Sequence, residues 1–105
     1  MLRRLRYHRS MREDTAALPG GDLIERGIAD RARGLSSIEA LLVSIGAPRL
    51  AQLGFEVPDP IPAAERQLYE RLHAEDPDSA HGRYNALVRR LVSFERAAAR
   101  QPRQT

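Results

Sequence analysis

The stretch GLSSIEALLVSIGAPRLAQLGFEV, residues 34–57, contains two apolar segments separated by one glycine, and it decides the fold. Ser36 and Glu39 have the spacing of a capping box, in which each side chain bonds the other residue's free backbone N–H at a helix start. Gly46 ends this first helix. Its apolar residues have the i, i+3, i+4, i+7 spacing of a buried face: Ile38, Leu41, Leu42 and Ile45.

The second helix of this stretch allows two interpretations, a DNA-binding helix-turn-helix or a corner between two core helices. Pro48 suits its first turn, where the missing N–H costs nothing, and Gly54 ends it. A recognition helix must lie along the major groove, but the six residues 48–53 would span only about 9 Å. Only Arg49 and Gln52 among them could contact a base. The stretch therefore favours the corner of a core over a DNA-reading motif.

Before and after this stretch the sequence has helical spacing and no strand pattern. Asp22 can cap a helix that runs to about Arg33. On the other side, VPDPIP, residues 57–62, predicts an extended connector, because each proline pushes the residue before it out of the helical region.

The C-terminal part of the chain predicts two further helices joined by a short turn. Pro62 opens the first, which runs to about Glu75, and Asp78 is a plausible cap for the second and longest, at about 79–101. The spacing of three and four in this last helix is that of a coiled-coil-like seam. The seam residues are Tyr84, Leu87, Leu91, Phe94 and Ala98.

These patterns together predict an all-α protein, a compact bundle of four to five helices with a long C-terminal helix in an antiparallel hairpin. We expect residues 1–20 to form a basic N-terminal arm or helix, residues 21–101 a single helical domain, and residues 102–105 a disordered tail. Six side chains are expected in the core: Leu41, Leu42, Ile45, Leu68, Leu87 and Leu91.

Composition excludes several classes of protein. The chain has 105 residues, of which 42% are hydrophobic and 30% charged, so one packed domain is expected rather than a disordered chain. No apolar run approaches the roughly 20 residues of a membrane span, and none forms a secretory core near the start. Without cysteine, disulfides and thiolate catalysis are excluded. We expect a cytoplasmic bacterial protein.

Charge is segregated along the chain. All 17 basic residues are arginine, and the net charge is +3. Residues 1–12 carry five arginines and no acid, residues 56–78 carry seven acids and two arginines, and residues 79–105 carry six arginines and one acid. Alignment of an acidic with a basic helix explains the last two segments, although exposed ion pairs contribute at most about 1 kcal/mol each. The N-terminal arginines have no obvious partner within the chain.

Residues 73–81, HAEDPDSAH, are the only cluster of metal-ligating residue types. Their spacing matches no known metal signature, and Ala80 occupies a position where a calcium loop needs an oxygen ligand. A solvated acidic turn is the better interpretation. No serine lies in a nucleophile motif, so we expect no enzyme. We also expect no metal and no cofactor.

Two functions remain open. The first is a small helical protein-interaction module, such as an adaptor, regulatory or immunity or antitoxin-type partner. Phe94 is expected to project beyond the shorter neighbouring helix, where a homodimer or another protein would cover it. The competing expectation is a monomer in which residues 1–17 form a helix that covers Phe94. The expected interface residues are Val88, Val92, Phe94 and Ala98.

The alternative is a basic nucleic-acid-binding regulator that contacts phosphates through the N-terminal arm and the last helix. Against it, the sequence has no glycine-rich phosphate loop and no aromatic stacking platform. Its expected contact residues are Arg3, Arg4, Arg6, Arg9, Arg89, Arg96 and Arg100.

Overall fold

The computed structural model describes residues 15–101, of which 71% are helical and none lies in a strand. The predicted all-α class is thus confirmed. Residues 1–14 and 102–105, which include most of the predicted arm and the predicted tail, lie outside the described residues. Residues 15–17 are helical, and the longer helices are α1 (Gly21–Ala32), α2 (Ile38–Ile45), α3 (Ala47–Gln52), α4 (Ala64–Glu75) and α5 (Ala80–Arg100).

The core forms around α2, which packs against α1, α3, α4 and α5. Five consecutive residues of α2, 40–44, are buried, so this helix is apolar over a wide arc rather than along one stripe. Of the six predicted core residues, four are buried and Ile45 and Leu87 pack half-buried against the cluster. Ala47 and Leu50 of α3 also belong to the core, as the corner interpretation predicts.

Helix α1 approaches α2 closely at Gly27. A Cβ atom built at Gly27 would overlap the carbonyl oxygen of Glu39 and lie 2.6 Å from Cγ1 of Val43. Ile24, one turn earlier on the same face, has no exposed surface. The missing side chain therefore allows the two helix backbones to pack within a distance that alanine would prevent.

The predicted capping box is wrong, because Ser37 rather than Ser36 caps α2. The Ser37 hydroxyl accepts a hydrogen bond from the backbone N–H of Ala40 at 3.1 Å and donates one to Oδ2 of Asp30 at 2.6 Å. Asp30 lies at the end of α1, so this tertiary bond selects the second serine as the cap. Glu39 lies in the first turn of α2 but does not complete a capping box.

The other predicted caps, Asp22 and Asp78, are also wrong. Helix α1 follows Gly20, which has φ 72°, and no side chain caps it. Helix α5 follows Ser79, again without a side-chain cap. The acidic turn is held by Asp76, whose carboxylate accepts from the N–H of Asp78 at 3.2 Å and whose carbonyl accepts from the N–H of Ser79 at 3.2 Å.

Helix α3 ends in a Schellman motif that fixes the direction of the following chain. Gly54, with φ 96°, donates its N–H to the carbonyl of Ala51 at 3.0 Å, and Phe55 donates to the carbonyl of Leu50 at 2.8 Å. Helix α1 ends in the same way at Gly34, with φ 76°. Both glycines occupy left-handed conformations that a side chain would strain.

Phe94 is fully buried, so the expectation that it projects from the end of the hairpin is wrong. The Schellman motif of α3 directs Phe55 onto it, with ring centroids 5.2 Å apart and planes at 67°. Phe55 thus covers the part of α5 that extends beyond the shorter α4, where the sequence left Phe94 without a neighbour. The prediction of a homodimer with Phe94 at its interface required an exposed Phe94, and this condition is not met.

The connector before α4 is non-helical, as VPDPIP predicts, and the body of the protein holds it at two points. The buried Arg31 guanidinium donates to the carbonyl of Asp59 through Nε at 3.0 Å and Nη2 at 2.6 Å, and to the carbonyl of Leu35 through Nη1 at 2.9 Å. The buried Ser44 hydroxyl accepts from the N–H of Ile61 at 3.0 Å. Helix α4 then starts two residues after the predicted Pro62, at Ala64.

Candidate interaction surface

Three exposed arginines form a row along the outer side of α5. Arg89, Arg96 and Arg100 are seven and four residues apart, which at 3.6 residues per turn places them within about 40° of one another around the helix axis. The buried Leu91 and Phe94 lie on the opposite side of the same helix. These three residues are called the arginine row below, and they extend over about 16 Å.

The arginine row is not neutralised by residues 15–101, since none of its three members forms an ion pair with a described residue. Other arginines of α5 do have partners. Arg83 contacts Glu75 of α4 at 2.9 Å, and Arg90 contacts Asp22 of α1 at 3.4 Å. The expected pairing between the acidic and the basic helix thus amounts, within residues 15–101, to one ion pair, Arg83 with Glu75.

The only acid of α5, Glu95, is turned toward the α2–α3 corner. Its Oε2 would lie 2.9 Å from a Cβ atom at Gly46, so the carboxylate is close to that backbone. Partial burial raises the pKa of Glu95 above its ordinary value of 4.5, and the positive charge of Arg49 opposes this shift. Glu95 is therefore occupied at the corner and does not screen the arginine row.

Beside this row lies a partly exposed strip of aromatic and aliphatic side chains from α4 and α5. Tyr84, Val88 and Val92 follow one another at intervals of four residues and are all half-buried. Tyr69 of α4, 37% exposed, meets the Tyr84 ring edge-on with centroids 5.9 Å apart. We call these four residues the Tyr–Val strip.

The two edges of the Tyr–Val strip differ in charge. Around the axis of α5, Val92 is about 40° from Arg96 and about 60° from Arg89, so the arginine row borders the strip directly. On the α4 side, burial and the negative charge of Glu65 raise the pKa of the Tyr84 hydroxyl, which places that acid near the strip. The surface therefore combines an apolar centre with a basic edge and an acidic residue opposite.

The residues predicted from the sequence as an interface are only partly brought together. Val88 and Val92 lie in the Tyr–Val strip, whereas Phe94 is in the core and Ala98 packs half-buried against it. Of the predicted nucleic-acid contacts, Arg89, Arg96 and Arg100 share one face, and Arg3, Arg4, Arg6 and Arg9 lie outside the described residues.

Sequence reasoning missed Tyr69, the most exposed member of the strip. It packs against Tyr84, fifteen residues later and across a turn, and also lies beside His73, with ring centroids 6.1 Å apart. The available signal was the four-residue spacing of Glu65, Tyr69 and His73, which places all three in one row of α4 next to the buried Leu68 and Leu72.

Of the cluster at 73–81, residues 76–79 form the turn between α4 and α5, and the rest belong to these helices. Among residues 15–101 there is no group of three or more His, Asp or Glu side chains arranged to hold a metal ion. Within the same residues, no helix combines the length and the apolar character that a membrane span requires.

Searches against protein-family models, curated proteins and solved structures find no match to this chain.

Proposed function

We propose that the protein is a small helical protein-interaction module without intrinsic catalysis, and that it binds its partner through the Tyr–Val strip and the arginine row. The observation that carries this proposal is the position of an arginine row, unpaired within residues 15–101, directly beside a partly exposed aromatic and aliphatic strip. Tyrosine and arginine are the residue types enriched at protein interfaces and at their energetic centres.

The proposal includes the arrangement that holds this surface together. We propose that α4 and α5 form an antiparallel hairpin within a helical bundle. Three contacts support it: the turn around Asp76, the ion pair of Glu75 with Arg83, and the edge-on packing of Tyr69 with Tyr84. In such a hairpin the two sides of the strip are rigidly fixed, which lowers the entropy lost on binding.

The test is capture of partners from lysate of the native host by immobilised wild-type protein and by Val88→Asp. A charge in the centre of the strip should abolish capture of any specific partner. Ala74→Asp is the matched control, since it adds the same charge on an exposed position of α4 about 140° around that helix from Tyr69. Thermal melts followed by circular dichroism establish that both variants fold. A partner captured equally by all three proteins would refute the proposal.

Nucleic-acid binding is the second candidate, and the unpaired arginine row is the observation that favours it. If the row alone neutralised three phosphates of a duplex, the affinity would fall with a slope of about −2.7 in log K against log salt concentration. Binding of a labelled DNA duplex at several salt concentrations measures this slope, and the 260/280 nm absorbance ratio of the purified protein detects nucleic acid that co-purifies. An apolar helix interface depends far less on salt.

A further inference from the structure

Building on the proposed function, we infer the class of partner: an amphipathic helix whose apolar face covers the Tyr–Val strip and whose acidic residues pair with the arginine row. The inference rests on charge complementarity at one edge of an apolar strip. A helix is the partner element that matches a strip with four-residue periodicity on another helix.

The spacing of the arginines sets the spacing of the acids. Arg89 and Arg96 are about 10.5 Å apart along the axis of α5, and Arg96 and Arg100 about 6 Å. A helix aligned with α5 at a shallow crossing angle presents carboxylates at these intervals when its acids are seven and four residues apart. An antiparallel partner would carry acids at i, i+4 and i+11, and a parallel partner at i, i+7 and i+11.

The opposite edge of the strip disfavours acids on that side of the partner. Glu65 lies near Tyr84 on that side, so acids on both edges of the partner would meet one favourable and one unfavourable charge. The surface therefore selects a helix with its acids on one flank. A nucleic acid, whose charge is distributed evenly, would not gain from the apolar centre.

The experiment measures fluorescence anisotropy of three labelled helical peptides of identical composition with the full-length protein. Two carry glutamates at the antiparallel and parallel spacings, each on the flank of a leucine face that meets the arginine row in that orientation, and the third carries them on the side of the helix opposite the leucines. We expect one matched peptide to bind about tenfold more tightly than the third, a ratio that three exposed ion pairs together can supply.

The matched variants replace equal numbers of exposed arginines by glutamine. The triple variant of the arginine row should no longer prefer the matched peptide over the third peptide; it combines Arg89→Gln, Arg96→Gln and Arg100→Gln. A control triple variant, with one substitution each on α1, on α4 and in the loop after α1, should keep this preference. The control positions are exposed arginines of the same net charge: Arg26, Arg33 and Arg66.

Four outcomes would overturn the inference. Equal binding of all three peptides shows that the row does not select acids. Preference for a duplex DNA over every peptide shows that the row serves phosphates. A concentration-dependent mass of twice 11.8 kDa that is lost in Val88→Asp shows that a second copy covers the strip. Failure of the peptides while a host protein is still captured through Val88 would reject this partner class and leave the proposed function standing.

Discussion

The same substitution at two helical glycines should change stability in opposite directions. Gly82 in α5 has no atom within 4 Å of a built Cβ, so Gly82→Ala relieves only the backbone entropy cost of glycine. The expected gain is about 0.5–1 kcal/mol, which raises the melting temperature by about 2–8 °C in a domain of this size. Gly27→Ala gains similar helix propensity but forces the new methyl group into the Glu39 carbonyl and Val43.

Overpacking of a core typically costs about 1–3 kcal/mol. Because the Glu39 carbonyl belongs to the backbone of a packed helix and cannot rotate away, we take the upper end, about 3 kcal/mol, for Gly27→Ala. Subtracting about 1 kcal/mol of helix propensity leaves a net loss of about 2 kcal/mol and a fall of about 8–16 °C in melting temperature. Circular dichroism at 222 nm during heating measures both variants. A Gly27→Ala protein at least as stable as the wild type would refute the close packing of α1 on α2.

Three further predictions concern polar groups. Arg31→Ala should lower the unfolding free energy in urea by about 2–3 kcal/mol, because the guanidinium donates to two backbone carbonyls. Asp59→Asn should change the unfolding free energy by less than about 0.5 kcal/mol, since that carboxylate is 93% exposed. Equal losses in the two variants would contradict the prediction that the backbone carbonyls, and not the carboxylate, account for the stabilisation by Arg31. Glu95→Gln should raise the melting temperature at pH 7, because a raised pKa means that folding disfavours the charged carboxylate. This gain in melting temperature should shrink as the pH falls through the raised pKa toward and below 4.5. A gain that grows in acid would contradict the prediction. Ser37→Ala should lower the free energy of unfolding by about 1 kcal/mol, and Ser36→Ala should leave it almost unchanged. The reverse order would show that Ser36 caps α2, as the capping-box pattern predicted.

The helices themselves could be predicted from local pattern, but their caps could not. The helix predicted to follow Asp22 and to end near Arg33 agrees within two residues with Gly21–Ala32, and the range 79–101 agrees within one residue with Ala80–Arg100, because apolar periodicity extends over several turns. A cap depends on a single residue and on its neighbours in space. Ser37 is selected over Ser36 by a bond to Asp30, seven residues earlier and in another helix, which no local pattern contains.

The candidate surface was predictable to the same extent. The arginine row follows from helical spacing alone, and so do Val88 and Val92. The burial of Phe94 depends on Phe55, 39 residues earlier, and the exposure of Tyr69 beside Tyr84 depends on how two helices meet across a turn. Contacts between distant segments determine which apolar residues of a stripe remain at the surface, and a single sequence carries little information about them.

The hydrogen bonds of Arg31 make three segments of the chain behave as one unit of local unfolding. The connector at Asp59 cannot leave the body of the protein without breaking bonds to a side chain on α1 that also holds the loop at Leu35. Amide hydrogens of the connector, of the loop after α1 and of the last turn of α1 should therefore exchange with solvent through a common opening rather than separately.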